Sequence, residues 1–558
     1  MTLKLSFFAI FIYLNLFFCL DSYAQDELQD KQLVIEKNRV LQLPKATQLQ
    51  NRMQKIETPP SNTEQNYNLE KKQAVLPNLK IQVSPFLLQK SEIITKKTYN
   101  NFLNIGFGNY TTLFGEAFLQ LPKNEKYNLS FSTKHLSSAT GSVLDEKSGN
   151  NRTHIALQGS YKITENSETF GQLSYNQVGV HYYGANTLIL KGLDIEKIKQ
   201  IYRNFDIVAG YRKMNNNVNQ NIGTNITYQA QLNYYNFWTK TEVSENALNL
   251  TGNTKIKLTE DANLNIELNA NFANRNDNNK SISRNLLIIS PNYHLHIDKL
   301  QFTVGANLVY DNDSIQNKNN FKLYPNLGIT YKISQKTKIY STFTGTTQKT
   351  SLRDFIHQNP FLGNQIALTH TNQQWEIAAG IEGNISQVIG YQLKGSYATY
   401  KNLYFYNNSL ADSTKFAVLY DTEGTKLFSA MAEIYAQLNN FKAGFKSELF
   451  AYNTETVAKA WHRPNFVNTL TISYLYKEKL NISSEFFNQN GLKGYNFTSH
   501  REYNLATIFD VNLQASYLFG NNMSVFLKLN NIFSQQYQQY LYYDTQRFNA
   551  LIGAMWKF

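Results

Sequence analysis

The chain holds a single cysteine, Cys19, among 558 residues. That excludes a disulfide framework and any multi-cysteine metal centre. Proline is scarce at 10 residues and glycine stops at 27, which rules out collagen-like and low-complexity chains. Charged residues reach 17%, below the ~25% usual for soluble domains. The mean hydropathy of −0.43 excludes a bundle of membrane-spanning helices. Catalytic motifs are missing too: H-E-x-x-H, a phosphate-binding glycine loop and a nucleophile elbow do not occur. Aromatic residues are plentiful instead. The 37 Tyr and 36 Phe carry an aromatic share of 14%, too rich for general disorder.

Residues 1–24 read as a secretory signal. Lys4 supplies the early positive charge, and Leu5 to Leu20 is almost wholly apolar. Ser22-Tyr23-Ala24 then places small residues where a signal peptidase reads, so cleavage falls between Ala24 and Gln25. The stretch is short for a spanning anchor. Phe18 before Cys19 is too large for a lipoprotein site. Cys19 leaves with the signal, and the mature chain has no thiol.

Residues 25–98 are rich in Gln, Asn, Lys and Glu, with Thr58-Pro59-Pro60-Ser61 in the middle. Their 12 basic and 8 acidic residues are too mixed for a nucleic-acid arm. Apolar positions recur at no period, and the expectation is a flexible periplasmic segment.

From Tyr99 onward the pattern alternates with period two. Leu264, Ile266, Leu268, Ala270 and Phe272 interleave with Asn265, Glu267, Asn269 and Asn271. Phe509, Val511, Leu513, Ala515, Tyr517 and Phe519 interleave with Asp510, Asn512, Gln514 and Ser516. Such alternation is a strand with one apolar and one polar face. The segments are about twice the ~5–6 residues of an average strand, which is the length a tilted strand needs to cross a bilayer. Short connections such as Glu260-Asp261, Asp298-Lys299 and Gly520–Asn522 alternate with long ones such as His181–Gln200, Thr350–Asn372 and Ser534–Arg547. That is the layout of an outer-membrane barrel. The prediction is an all-β transmembrane antiparallel barrel over residues 99–558, with about 22 strands (20 to 22). Met214–Gly223 is long for a short-side turn, and Gly108–Tyr110 is tight for a long-side loop.

Closure is required because an open sheet would expose edge N–H and C=O groups to lipid, at several kcal/mol each. A Lys on the lipid face at mid-bilayer costs ~2–4 kcal/mol. Lys528 is therefore predicted to point inward, with Met523, Val525, Leu527 and Leu529 outward. In the last strand Phe548, Ala550, Ile552, Ala554, Trp556 and Phe558 take the outward face and Lys557 the inner one. Tyr234-Tyr235, Tyr404-Phe405-Tyr406 and Tyr540–Tyr543 are expected in interfacial girdles.

The final block, Asn530-Asn531-Ile532-Phe533 with Tyr537, Arg547, Phe548, Gly553, Trp556 and Phe558, resembles the C-terminal signature of TonB-dependent receptors. In that family a terminal aromatic strand is what the barrel-insertion machinery recognises, which assigns that part to Phe548, Trp556 and Phe558. Tyr324-Pro325-Asn326-Leu327-Gly328, Ser351-Leu352-Arg353-Asp354 and Asn359-Pro360-Phe361-Leu362 resemble the family's mid-barrel segment. The family's Arg-x-Pro-Ser is Gln348-Lys349-Thr350-Ser351 here, and Gly363-Asn364 replaces a Pro-Glu. A folded plug normally precedes such a barrel. The 74 or so residues from Gln25 to Thr98 lack strand alternation and Gly-rich spacing, so the resemblance is to plugless receptor-type barrels of the Bacteroidetes lineage.

Ligand chemistry is thin. His294 and His296 share a strand face and read as metal ligands or as two polar lumen residues. Asp311-Asn312-Asp313 and Asn276-Asp277-Asn278-Asn279 sit where surface loops are expected, without the spacing of a calcium loop. Arg353 and Asp354 read as ligand-facing or simply solvated. No cofactor, metal or enzyme activity is assigned. The net charge of +13 favours lipopolysaccharide at the outer rim or an anionic solute inside, or reflects compositional bias. The expected partners are outer-membrane lipid and lipopolysaccharide, the insertion machinery and an envelope protein. Three functions compete: solute uptake or binding, anchoring of that envelope partner, and an open pore.

Overall fold

A computed structural model describes the chain from Asn100 to Phe558, apart from residues 123, 185–193, 214–225, 242, 278–279, 314–317 and 364–365. The signal, its cleavage site at Ala24–Gln25, the 25–98 segment and Met214–Gly223 lie outside the described residues.

Alternating polarity gives long strands, and the strands close on themselves. One sheet of 22 strands forms, each antiparallel to its neighbours in chain order. The first strand, Phe102–Gly108, pairs with the last, Asn549–Lys557, in the register Phe102↔Lys557 to Gly108↔Leu551. Asn101 and Phe558 exchange backbone hydrogen bonds at 3.0 and 3.2 Å, so both ends of the wall meet at the short-turn side. The strand count matches the prediction. The tight connection after Gly108 is a real turn, with Tyr110 and Thr111 at φ 55° and 49°.

The faces follow the polarity. In Met523–Asn530 the residues Met523, Val525 and Leu527 face outward while Ser524, Phe526 and Lys528 are buried inside. In the last strand Ile552 and Trp556 are exposed on the apolar face and Met555 is buried. This apolar exterior makes the protein an integral outer-membrane barrel.

The interior is polar and internally paired. Asn249 spans its neighbours, donating to Asn233 at 3.1 Å and accepting from Asn271 at 2.6 Å. Asn326 donates to Asn292 at 2.6 Å across Gly305, where any Cβ would lie 2.1 Å from the Asn292 oxygen. Ion pairs join neighbouring strands on the lumen face at Lys134–Glu116 (3.3 Å) and Lys338–Glu382 (2.7 Å), and Lys446–Glu448 (2.8 Å) pairs along one strand. His294 and His296 lie on this inner face, and His294 Nδ1 bonds the Thr303 hydroxyl at 3.0 Å.

Three expectations are corrected. Asp311 and Asp313 stand in the strand Leu300–Asp313 and are buried, because Arg284 and Lys322 draw them inward. Tyr404–Tyr406 and Tyr540–Tyr543 are not girdle residues; they are packed against one another and the inner wall. Arg353 is neither solvated nor free, as described below.

The seam has its own packing. Phe526, Gly553, Gly106 and Phe114 form one row across four strands. The two rings meet edge to face over the two glycines, centroids 6.0 Å apart, with the Lys528 ammonium 4.6 Å from the Phe114 ring. A Cβ on Gly553 would lie 2.3 Å from Phe526 Cζ and 2.2 Å from the Ile105 carbonyl oxygen. Gly553→Leu should therefore cost ~1–3 kcal/mol or more through overpacking. The expected readout is loss of the fast-migrating folded band on unboiled gels, while Gly115→Ala, whose Cβ meets nothing within 4 Å, keeps it.

Candidate functional site

The described parts of several long connections turn inward and pack as one cluster. Its buried members include inner-wall residues Tyr202, Tyr235, Phe237, Ala273, Tyr400 and Leu427 from strands spread round the barrel. Loop residues fill the space between them, notably Tyr183, Phe355, Phe361, Phe405, Phe416, Trp461 and Tyr543. The result is a hydrophobic cap inside the wall at the long-connection end.

The centre of the cap is the segment 349–370. Ser351 starts its helix, the hydroxyl accepting from Asp354 N at 3.0 Å. The helix α1, Leu352–Gln358, buries Leu352, Phe355 and Ile356, the one face that spacing of three and four residues creates. Pro360 cannot continue the helix. Asn359 instead makes a local turn, accepting from Phe361 N at 3.0 Å. A buried, non-helical backbone needs partners for its carbonyls. Tyr540 donates its hydroxyl to Gln358 O at 2.7 Å, Tyr202 to Pro360 O at 2.7 Å and Tyr182 to Leu362 O at 2.8 Å. Phe416 N donates to Phe361 O at 2.9 Å, and Gly363 N to Phe416 O at 2.8 Å. Phe361 stacks on Tyr543 with centroids 3.6 Å apart.

Charged groups of the wall hold the same segment. Glu245 accepts from Leu352 N at 2.9 Å and from the Tyr235 hydroxyl at 2.8 Å. Arg353 lies 3.6 Å over the Tyr235 ring and pairs with Asp206 at 2.7 Å. Arg284 donates to Thr350 O at 2.8 Å and Arg275 to Ile366 O at 2.6 Å. Thus Asn359, Pro360, Phe361 and Leu362, singled out as a motif, are the hub of the cap.

The other motif residues divide. Asn531, at φ 48°, shapes the strand exit by donating to Gln535 O at 2.8 Å and Gln546 O at 3.0 Å. Asn530 reaches Asn549 at 3.4 Å. Tyr537 is buried and donates to Asp510 at 3.2 Å. Phe533 faces outward and stacks on Phe509 at 5.4 Å. Phe548, Trp556 and Phe558 are exposed on the outer face.

One metal-like group occurs among the described residues. Ligand atoms of Asp311, Asp313 and His370 lie within 4.8 Å of one another, all buried. Sequence reasoning missed His370, which is 57 residues from Asp313 and joins it only through the fold, its backbone N–H donating to Asp313 at 3.0 Å. Arg284 Nη2 and Thr350 N both donate to His370 Nδ1, at 3.0 and 3.1 Å. Burial, with Arg284 and Lys322 nearby, holds the ring well below the ordinary histidine value, so it is neutral. Arg284 and Lys322 already balance the two carboxylates at 3.4 and 3.0 Å. The chemistry is that of an internally neutralised anchor for the cap. His294 and His296 are not drawn into it.

Two further groups join loop to loop. Asp421 accepts from Thr425 Oγ1 and from the N–H groups of Glu455, Thr456 and Val457. Burial alone would raise its pKa, but these donors together lower it below the carboxylate value of 3.8. Buried His462 donates Nδ1–H to Tyr406 O at 2.7 Å and accepts from Leu541 N at 3.0 Å, so it must be neutral. Burial pushes its pKa from 6.5 down to about 4. Both groups therefore stabilise the cap at neutral pH. The His462 contribution is whole above 6.5 and lost as pH falls through about 4, and that of Asp421 goes at still lower pH. The His462 shift corresponds to about 3 kcal/mol. Limited proteolysis of the long connections should accelerate from pH 7 to pH 4, and His462→Gln should flatten that dependence.

No family model matches the chain, and no curated relative is found. Solved structures do match its fold. The FrpB iron transporter from Neisseria meningitidis superposes with a TM-score of 0.65 at 10% identity, covering 83% of this chain and 82% of that one. The ferric-catecholate import receptor Fiu from E. coli gives 0.61 at 9% identity over 83% and 82%. The siderophore receptor PirA from Pseudomonas aeruginosa gives 0.56 at 12% identity over 82% and 79%. With its apolar exterior and sealed sheet, the chain is an outer-membrane barrel with the fold of the TonB-dependent receptors.

Proposed function

We propose that the protein is a receptor-type barrel that binds a solute at its capped mouth and passes it across the outer membrane. The observation that carries this reading is the cap itself. A lumen ringed by 22 strands leaks unless something fills it, and here loop segments from several connections pack together inside the wall. The cap speaks against an open pore. By the rule that outer-membrane barrels carry their long loops outside, the cap faces the medium and both ends of the sheet face the periplasm. The similar folds include an iron transporter and siderophore receptors, so iron chelates are the first solute class to examine.

A second reading keeps the barrel as an anchor for an envelope protein. One similar structure holds a protein ligand, the FpvAI–pyocin S2 complex, so this fold can seat a protein. In both readings Phe548, Trp556 and Phe558 serve as the insertion signal, residues 1–24 are removed, and 25–98 lies in the periplasm.

Deleting the gene should impair growth on one solute class, with iron chelates tested first and vitamins and glycans next. Unchanged growth on all of them, with stoichiometric co-purification of an envelope protein, would favour the anchor. Wild-type protein in planar bilayers should be silent. Replacing 352–368 by a Gly-Ser linker should give large conductance steps and vancomycin sensitivity. Large steps from the wild type would defeat the closed-mouth reading.

A further inference from the structure

The outer face near the long connections is not uniform. Across the strands Ser167–His181, Lys199–Lys213 and Ile226–Thr239, outward residues form rows. Leu173, Ile207 and Tyr234 make one row, and Tyr175, Phe205 and Asn236 the next. Gln177, Arg203 and Trp238 follow, and His181–Lys199 lies beyond. Successive rows are two residues apart, about 7 Å along the strand.

Leu173, Phe205 and Tyr234 are exposed on the apolar band. Tyr175 lies 6.4 Å from the Trp238 ring. Such a run of aromatics belongs at the level where acyl chains give way to headgroups. Arg203 sits between Gln177 and Trp238, one row beyond Phe205. Lys199 is two rows further on. Lys240 is fastened beside it, its N–H donating to Ile201 O at 2.9 Å. Both lysines share Glu196, at 2.7 and 3.1 Å. With Asp194 and Lys197 on the same short turn as Glu196, four cations stand against two carboxylates, which leaves an excess of positive charge at headgroup height. Farther round the wall, on Ala262–Asp277, Lys280–Ile297 and Leu300–Asp313, the outward positions near the same end are Asn274, Ser283, Asn285 and Asn312. That sector has aromatics below it but no cation among those four.

We propose that Arg203, Lys199 and Lys240 form a docking site for the phosphate groups of an outer-leaflet lipid, the lipid A of lipopolysaccharide. Arg203 offers a planar fork of N–H donors suited to phosphate oxygens, and the aromatic row beneath it meets the acyl chains. Lys199 and Lys240 contribute charge from above, and Glu196 limits their strength. A free phosphate would gain nothing from the adjoining apolar rows, which is why a lipid is the occupant. The inference rests on the proposal that the long-connection end faces outside.

The test is retention of lipid by purified full-length protein in detergent, read by native mass spectrometry. Diphosphorylated lipid A should bind, and its dephosphorylated form should bind much more weakly. Each of Lys199→Gln, Arg203→Gln and Lys240→Gln should weaken binding about fivefold, the scale of one basic residue at an anionic surface. Glu196→Gln should strengthen it severalfold, a gain that misfolding cannot imitate. Lys401→Gln with Lys426→Gln, outward on other strands at this end, should leave it unchanged. Equal binding of dephosphorylated lipid, wild-type binding by the triple variant, or an equal loss in the control pair would each overturn the proposal. The assay is blind to orientation and to transport, so its failure leaves the receptor reading standing and removes only this site.

Discussion

A peptide group in hydrocarbon has no water to bond, and every other feature of this molecule descends from that constraint. Each unpaired N–H or C=O would cost several kcal/mol. Pairing Phe102–Gly108 with Asn549–Lys557 removes both edges at once. Once the sheet is closed, period-two alternation assigns every side chain to lipid or lumen. The lipid side accepts Phe107, Val304 and Ile552, and the lumen takes the Asn, Lys and Glu residues. The seam is where this closure is most exposed to failure, since it joins residues some 450 apart in sequence. Two glycines there admit two phenylalanine rings that no side chain between them would allow.

The polar lumen brings its own problem, because buried polar groups cost energy unless they are satisfied. The chain answers with short-range pairing across adjacent strands. Asn233, Asn249 and Asn271 share hydrogen bonds on neighbouring strands, and Lys338 meets Glu382 directly opposite. Where the wall meets the cap, the same chemistry changes purpose. Glu245, Asp206, Arg275 and Arg284 reach into the lumen and bind backbone or side chains of 349–370. Charge-assisted bonds of this kind are stronger than neutral ones and fix orientation. The hydrophobic cluster supplies most of the burial, and the charged contacts decide where the segment sits.

The barrel was legible in the sequence and the cap was not, for a physical reason. Alternation such as Leu264 to Phe272 is a local signal, complete within one strand. The inward direction of Lys528 followed from the cost of placing it in lipid. Aromatic residues near strand ends carry no such signal. Tyr234 faces out and Tyr235 is buried against Arg353. Tyr404 and Tyr540 look alike in sequence to girdle tyrosines, yet both are buried in the cap. What distinguishes them is a partner far away: Phe361 with Tyr543, Tyr540 with Gln358, His370 with Asp313. Asn359-Pro360-Phe361-Leu362 stood out as a motif, but its position as a hub depends on tyrosines from two other connections and on Tyr202 of the wall.

The packed cap constrains what any transport through this barrel would require. The 349–370 segment has its carbonyls bonded at Gln358, Pro360, Phe361 and Leu362, by donors from four places in the chain. Moving it by thermal motion alone would break these bonds and expose Phe355, Phe361 and Leu362 together. Burial of three such side chains is worth roughly 5–9 kcal/mol. A solute can shift that balance only by as much as it prefers the open arrangement. A weakly bound solute therefore does not open the mouth unaided. Under the proposed receptor reading, passage through the barrel would then demand tight recognition at the cap, an outside source of energy, or both.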